Sequence, residues 1–200
     1  MCEKPEDVWE LRPVAFHDGV LWLEAQETSD LVPDCVEKNK EQALILQNSE
    51  LQVLTVWQET ADEIEGEFRY LNRRQINAGE ATFRLVSYKE AECSQNCGVT
   101  YADFPVSFVV DVDSKTYMVS CSKSNIIEFK EASVPQRIDG SQKHVVFYRR
   151  TVGSKYMRYE SVLRPGWFLC TEKDGELHRL ALKHVSLDTH ETVMFLNISK

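Results

Sequence analysis

The residue types that usually carry out chemistry are present in this chain but are not arranged for catalysis. The five histidines are scattered and mostly stand beside charged residues, at positions 17, 144, 178, 184 and 190. Asp111 and Asp113 bracket one valine, a spacing typical of a solvated strand end rather than of an acid–base pair. Ser161 has no histidine partner that the sequence reveals, and the motifs of nucleotide-binding, hydrolase and metalloprotease sites are absent. The sequence therefore predicts a protein that is not an enzyme.

Six cysteines, at positions 2, 35, 93, 97, 121 and 170, are the remaining candidates for a reactive or metal-binding role. Cys93 and Cys97 would supply half of a metal site, but no second pair and no His-x-His completes it. Cys121 and Cys170 lie within apolar runs, where a thiol typically packs as a small core residue. We therefore expect no metal and no other cofactor, and reduced thiols while the chain is in the cytosol.

The negative charge is concentrated at one end of the chain. The net charge is -9, and residues 1–34 carry nine acidic side chains against two basic ones, which accounts for -7 of it. An acidic balance argues against a nucleic-acid partner. No apolar run approaches the roughly 20 residues that span a bilayer, and the first residues lack the features of a signal peptide. We expect synthesis in the cytosol, no membrane insertion, and a separate role for residues 1–34.

Short apolar runs closed by turn residues recur along the chain, whereas helical periodicity is almost absent. From residue 35 onward there are twelve of them: 42–47, 51–57, 67–71, 81–88, 105–112, 115–121, 125–130, 143–149, 156–161, 166–171, 176–183 and 191–197. Several alternate between apolar and polar residues, as around Phe83 and Leu85, which is typical of half-buried strands. Twelve short strands favour a β-trefoil over a sandwich. We predict an all-β fold of this type, with no helix longer than about three turns.

The N-terminal part has a different pattern. Residues 14–16 and 20–25 flank His17-Asp18-Gly19 and predict a single hairpin. Residues 26–41 are polar and contain one proline, which predicts an exposed, cleavable linker. The first strand of the main domain is then expected to begin near Ala43.

The most specific pattern runs through residues 159–171, where a proline–glycine turn leads into an aromatic strand. Its key residues are Ser161, Pro165, Gly166, Trp167, Phe168 and Leu169. This pattern resembles the signature of the interleukin-1 family of cytokines, which are β-trefoils, and implies that Trp167 is a buried anchor. Residues 125–131, 145–152 and 177–183 resemble one branch of that family. The resemblance implies a propeptide over residues 1–34 and a β-trefoil cytokine domain over residues 35–200.

In that branch an N-terminal propeptide keeps the cytokine inactive until an inflammatory caspase cuts after an aspartate. Asp34, followed by Cys35, matches the cleavage position, and Asp30 is a competing site. The resemblance further implies a cytoplasmic precursor that is secreted after processing without a signal peptide, and a monomeric product.

The mature domain is expected to bridge a ligand-binding receptor and an accessory receptor chain, both immunoglobulin-like. Receptor-binding candidates carried over by position are Lys38, Glu50 and Lys89. Arg149 and Arg150 are further candidates, within a basic cluster that also includes Lys143, His144, Lys155 and Arg158. An alternative stays open, in which another member of the family binds the receptor without recruiting the accessory chain and acts as an antagonist.

Overall fold

The structure is a computed structural model of the chain. It describes residues 9–17, 20–27, 36–60, 63–79, 81–90, 104–122, 124, 126–152, 155–184 and 195–199. The chain divides into two compact units, Met1–Val32 and Pro33–Lys200. Asp30, Asp34 and Cys35 lie outside the described residues, so the cleavage site and the domain boundary at residue 34 stay predictions.

The first unit contains a two-stranded antiparallel sheet. Strand β1 (Trp9–His17) pairs with β2 (Val20–Glu27), and the register runs from Trp9 opposite Glu27 to His17 opposite Val20. The pairing is irregular between Pro13 and Ala15, where proline has no N–H to donate. The hairpin predicted for this part of the sequence is thus confirmed.

The second unit contains the remaining described strands, which are β3 Val36–Asn48, β4 Val53–Thr60, β5 Glu63–Arg69, β6 Phe83–Glu90, β7 Phe104–Val112, β8 Lys115–Cys121, β9 Ile127–Glu131, β10 Arg137–Ile138, β11 Phe147–Val152, β12 Tyr156–Ser161, β13 Trp167–Asp174, β14 Leu177–His184 and β15 Phe195–Ser199. Each of the twelve predicted runs overlaps one of these strands, and the two-residue β10 is additional. The described helices are α1 (Arg73–Ala78) and a 3₁₀ helix (Gly140–Val145), both six residues long.

Six of these strands close into a barrel. Strand β3 pairs with β6, β6 with β7, β7 with β11, β11 with β12, β12 with β15, and β15 returns to β3. Six further strands form three hairpins, β4–β5, β8–β9 and β13–β14, and the short β10 pairs with β3. A closed six-stranded barrel with three hairpins is a β-trefoil, so the predicted fold is confirmed. None of the helices in the described ranges has the length and apolar character needed to cross a bilayer.

The start of the barrel differs from the sequence prediction. Strand β3 begins at Val36 rather than near Ala43, and its first residues pair with β6 and β10. The prediction of a linker extending to residue 41 is therefore wrong. Backbone pairing requires no apolar side chains, and residues 37–43 are mostly exposed, so their polar sequence gives no strand signal.

A cluster of aromatic rings fills the centre of the barrel. The ring of Phe108 contacts Tyr159 edge-on at 4.7 Å between centroids and Phe147 at 6.1 Å. Phe195 lies 6.1 Å from Tyr159 and stacks on Phe68 at 5.9 Å. All five side chains are at most 2% exposed, so five strands share one packed centre.

Candidate protein-binding surfaces

The signature segment, residues 159–171, forms the turn that its sequence predicts. The carbonyl of Arg164 accepts a hydrogen bond from the N–H of Trp167 at 3.0 Å, and Gly166 has a φ of 81°. Pro165 and Gly166 are therefore the central residues of a turn whose third position requires a positive φ. Ser161 is 1% exposed, and its Oγ accepts a hydrogen bond from the N–H of Arg164 at 3.2 Å.

Glu160 anchors this turn, and sequence reasoning missed it. Its side chain is only 6% exposed, yet Oε1 accepts a hydrogen bond from the N–H of Gly166 at 2.6 Å. Its other oxygen, Oε2, lies 3.2 Å from Nη2 of Arg150. A buried carboxylate costs free energy unless it is paired in this way. The residues of the signature segment thus have a structural role, because their hydrogen bonds fix this turn.

Trp167 is not the fully buried anchor that the pattern implied. It is the first residue of β13, it packs only partly against the core, and its ring meets His184 edge-on at 5.8 Å. Leu169 is 0% exposed within the main core, while Phe168 and Cys170 pack on the opposite face with Ala181. The predicted alternation is confirmed. The burial of Trp167 was overestimated because a residue directly after a turn lies at the rim.

We expect Trp167→Ala to lower the free energy of unfolding by about 1–2 kcal/mol, since part of the ring is already in contact with water. Leu169→Ala, made as the comparison, should cost about 2–5 kcal/mol. Urea denaturation of both variants measures the two values. A larger loss for Trp167→Ala than for Leu169→Ala would contradict this description of the strand.

The structure separates the predicted arginine candidates. Arg149 lies opposite Tyr159, on the face of β11 that turns to the core, whereas Arg150 lies opposite Arg158 on the outer face. Burial, and secondarily the charge of Arg150, lower the pKa of Arg158. Lys143 and His144 belong to the 3₁₀ helix before β11, and Lys155 precedes β12. Arg149 and Arg150 therefore lie on opposite faces of β11, and the binding roles of both, and of the rest of the basic cluster, stay predictions.

Lys38 and Lys89 lie on neighbouring strands. In the register of β3 and β6, Lys38 stands opposite Tyr88 and Glu37 stands opposite Lys89, so the two lysines face opposite sides of the sheet. Nζ of Lys38 lies 2.6 Å from Oε1 of Glu41, which lowers the pKa of that carboxyl, while Lys89 is exposed. Their roles in receptor binding also stay predictions.

Glu50 lies in the loop between β3 and β4, which is held by an unusual number of hydrogen bonds. Oδ1 of Asn48 accepts from the N–H groups of Glu50 at 3.1 Å and Gln52 at 2.9 Å. Nδ2 of Asn48 donates to Oε1 of Gln52 at 2.8 Å, and Nε2 of Gln47 donates to the carbonyl of Leu51 at 2.9 Å. Asn48 and Gln52 are 2% and 4% exposed, so the loop rests on a buried polar network.

This network holds Leu51 in a costly conformation. Its φ is 65°, in the left-handed region, and its side chain is 62% exposed. A residue with a Cβ pays roughly 1–2 kcal/mol to adopt that conformation. An apolar side chain held in water by a strained backbone stabilises nothing in the isolated domain. Such strain marks a candidate binding position.

Another exposed side chain lies at the same end of the domain. Val53 pairs with Arg69, which brings Tyr70, 71% exposed, beside the loop. On the other side, Nε2 of Gln52 lies 2.6 Å from Nδ1 of His178. We name Glu50, Leu51 and Tyr70 the Leu51 surface. Exposed apolar and aromatic groups rimmed by charges are typical of protein interfaces.

Sequence reasoning identified only Glu50 in this surface. Leu51 and Tyr70 each lie at or next to the end of a predicted strand, where the apolar–polar pattern does not decide whether a side chain is buried or exposed. The sequence does carry one signal for the exposed loop: Asn48-Ser49-Glu50, a run of polar residues that includes turn formers, directly precedes Leu51.

The described residues offer little for small-molecule or metal chemistry. An open groove of about 420 Å³ lies between β4 and the β7–β8 turn, but Asp111 on its wall is already bonded to Arg84 and Thr116. Within the described ranges, no three His, Cys, Asp or Glu residues lie together as metal ligands would. Cys93 and Cys97 lie outside those ranges. Burial raises the pKa of the Cys121 thiol and raises that of Cys170 to about 12, so neither is an activated thiolate.

Comparisons with known proteins agree with this architecture. The family model described as Interleukin-1 / 18 matches residues 71–192. Interleukin-18 of Mus musculus is 29% identical over 187 residues, covering 92% of this chain and 90% of that protein. Interleukin-18 of Gallus gallus is 32% identical over 103 residues, covering 48% of this chain and 52% of that protein. A solved structure of a Gallus interleukin-1 mutant matches with a TM-score of 0.57 at 17% identity, covering 82% of this chain and 99% of that one.

Proposed function

Since the chain belongs to the Interleukin-1 / 18 family, we propose that it is an interleukin-18-like pro-inflammatory cytokine precursor. In this proposal the processed protein acts outside the cell and has no catalytic role. It binds an interleukin-18-type receptor and an accessory receptor chain, both immunoglobulin-like. The similarity to interleukin-18 over most of the chain supports the choice of this branch.

The observation that carries a receptor-binding role is the Leu51 surface. Its loop is fixed by buried hydrogen bonds from Asn48 and Gln52, and the fixed backbone presents Leu51 to solvent. A preformed loop loses little conformational entropy on binding, which raises affinity for a given contact area. Glu50 beside Leu51 adds a charge that selects among partners by complementarity.

Processing by an inflammatory caspase after Asp34 is the second part of the proposal. In the sequence, Leu31-Val32-Pro33-Asp34 is followed directly by Cys35. The first barrel strand begins at the next residue, Val36. Cleavage there would remove the acidic residues 1–34 and leave the whole barrel intact. The uncut precursor is expected to be silent.

The experiment compares the full-length chain, Asp34→Ala and Asp30→Ala after incubation with the caspase. Intact mass should fall by the mass of residues 1–34 in the parent chain and in Asp30→Ala, and should not change in Asp34→Ala. Surface plasmon resonance with the receptor ectodomain should detect binding only by the cleaved samples. Addition of the accessory ectodomain separates an agonist, which forms a ternary complex, from an antagonist. An uncut Asp34→Ala chain that binds as tightly as the cleaved protein would contradict the precursor role.

A further inference from the structure

The hydrogen bonds of the 48–52 loop fix the protonation state of His178. Two backbone N–H groups donate to one atom of the Asn48 amide, and that atom must be the oxygen because a nitrogen of an amide accepts no hydrogen bond. The Asn48 NH₂ therefore faces Gln52, and the Gln52 atom 2.8 Å away must be its oxygen. The Gln52 NH₂ then points at Nδ1 of His178, 2.6 Å away. Nδ1 must accept, so the ring is neutral with its proton on Nε2.

Protonation of His178 sets two donors against each other. The imidazolium carries a proton on both nitrogens, and Nδ1–H would then face the Gln52 NH₂. Rotating the Gln52 amide would give Nδ1–H an oxygen to donate to, but it would place the Gln52 NH₂ against the NH₂ of Asn48, so two donors would still face each other. Rotating Asn48 as well would remove the acceptor for the N–H groups of Glu50 and Gln52. Asn48 and Gln52 are only 2% and 4% exposed, so water has little room to enter and replace the lost hydrogen bonds.

The charges around His178 come from each neighbouring element. Lys173 of β13 stands directly opposite His178. On β5, Glu67 is already paired with Nε of Arg69 at 2.5 Å. Glu50 lies two residues before Gln52 in the loop, and Glu176 lies two residues before His178 in the chain. The ion pair of Glu128 and Lys130 on β9 carries no net charge.

We propose that protonation of His178 releases the 48–52 loop and so lowers the affinity of the Leu51 surface for its receptor at acid pH. This inference rests on the proposed receptor-binding function and names a regulator of the same surface. Histidines commonly titrate between pH 5 and 8, the range that separates the cell exterior from acidic endosomes. The neutral ring belongs to the competent loop, so binding is strong above this range and is lost as the pH falls through it.

The direct test follows the loop by NMR in the full-length chain between pH 8 and pH 5. The amide signals of Glu50, Leu51 and Gln52 should shift with the same midpoint as the His178 ring. In His178→Gln, which keeps an acceptor but does not titrate, these shifts should vanish. His184→Gln, a change on the same strand, should leave them in place. Loop signals that stay fixed while the His178 ring titrates, or that still shift in His178→Gln, would overturn the inference.

A second measurement connects the loop to binding. The caspase-processed protein should dissociate from the receptor ectodomain about five- to tenfold faster at pH 5.5 than at pH 7.4, within the usual range of coupling between two sites. The His178→Gln protein should lack that acceleration, and an equal acceleration in both would overturn the inference. The NMR result does not involve the receptor, so a failure of the receptor-binding proposal is recognised separately.

Discussion

Phe108→Ala is expected to lower the free energy of unfolding by about 3–5 kcal/mol. Phe108 is 1% exposed, and its ring meets those of Tyr159 and Phe147 from two other barrel strands. Removing it leaves a cavity at the point where β7, β11 and β12 pack together. Urea denaturation followed by tryptophan fluorescence measures the loss, with the slope of the transition checked against the parent protein.

Tyr70→Ala is the matched control for this change, because Tyr70 is an aromatic residue that is 71% exposed. It should change the free energy of unfolding by no more than about 0.5 kcal/mol. A Phe108→Ala protein as stable as Tyr70→Ala would mean that the centre of the barrel lies elsewhere.

Glu160→Ala should be the most damaging change of a polar residue, at about 2–4 kcal/mol. It removes the acceptor for the buried N–H of Gly166 and the carboxylate that contacts Arg150, and it leaves Arg150 opposite Arg158. Like charges directly opposite each other in a sheet are destabilising. The free energy of unfolding, obtained from urea denaturation, is the quantity to compare.

Glu160→Gln separates the contribution of the hydrogen bond from Gly166 from that of the ion pair with Arg150. The amide oxygen still accepts a hydrogen bond from Gly166, but the charge that pairs with Arg150 is gone, so the loss should fall between those of the parent and the alanine variant. Glu172→Ala, an exposed change on β13, should be nearly neutral. If Glu160→Ala were also nearly neutral, the signature turn would not depend on this carboxylate.

The fold was predictable from the sequence because most of its strands are indicated by local patterns of apolar, polar and turn residues. Alternation around Phe83 and Leu85, and the turn at Pro165 and Gly166, depend only on neighbouring residues. The start of β3 was missed for the same reason, since its first residues are exposed on both sides and show no alternation. Patterns of hydrophobicity report burial, and a strand without burial leaves no such pattern.

The candidate surface was less predictable because it depends on residues far apart in the chain. Gln52 and His178 are 126 positions apart, yet their hydrogen bond helps to fix the loop that exposes Leu51. The burial of Glu160 also becomes apparent only when Arg150 and Gly166 are brought beside it. The sequence supplied the residue types, whereas the closed barrel decides which of them meet.

The measurement that tests the central claim most directly is receptor affinity of the caspase-processed protein with Leu51→Ala. Alanine keeps the Cβ and therefore the backbone strain, so the change removes only the exposed side chain. Ile126→Ala is the control, since Ile126 is 56% exposed on the β8–β9 hairpin. We expect Leu51→Ala to weaken binding about ten- to a hundredfold, as truncation of an interface hot spot does, and Ile126→Ala to leave it unchanged. Equal affinity of the parent and Leu51→Ala proteins would contradict a receptor-binding role for the Leu51 surface.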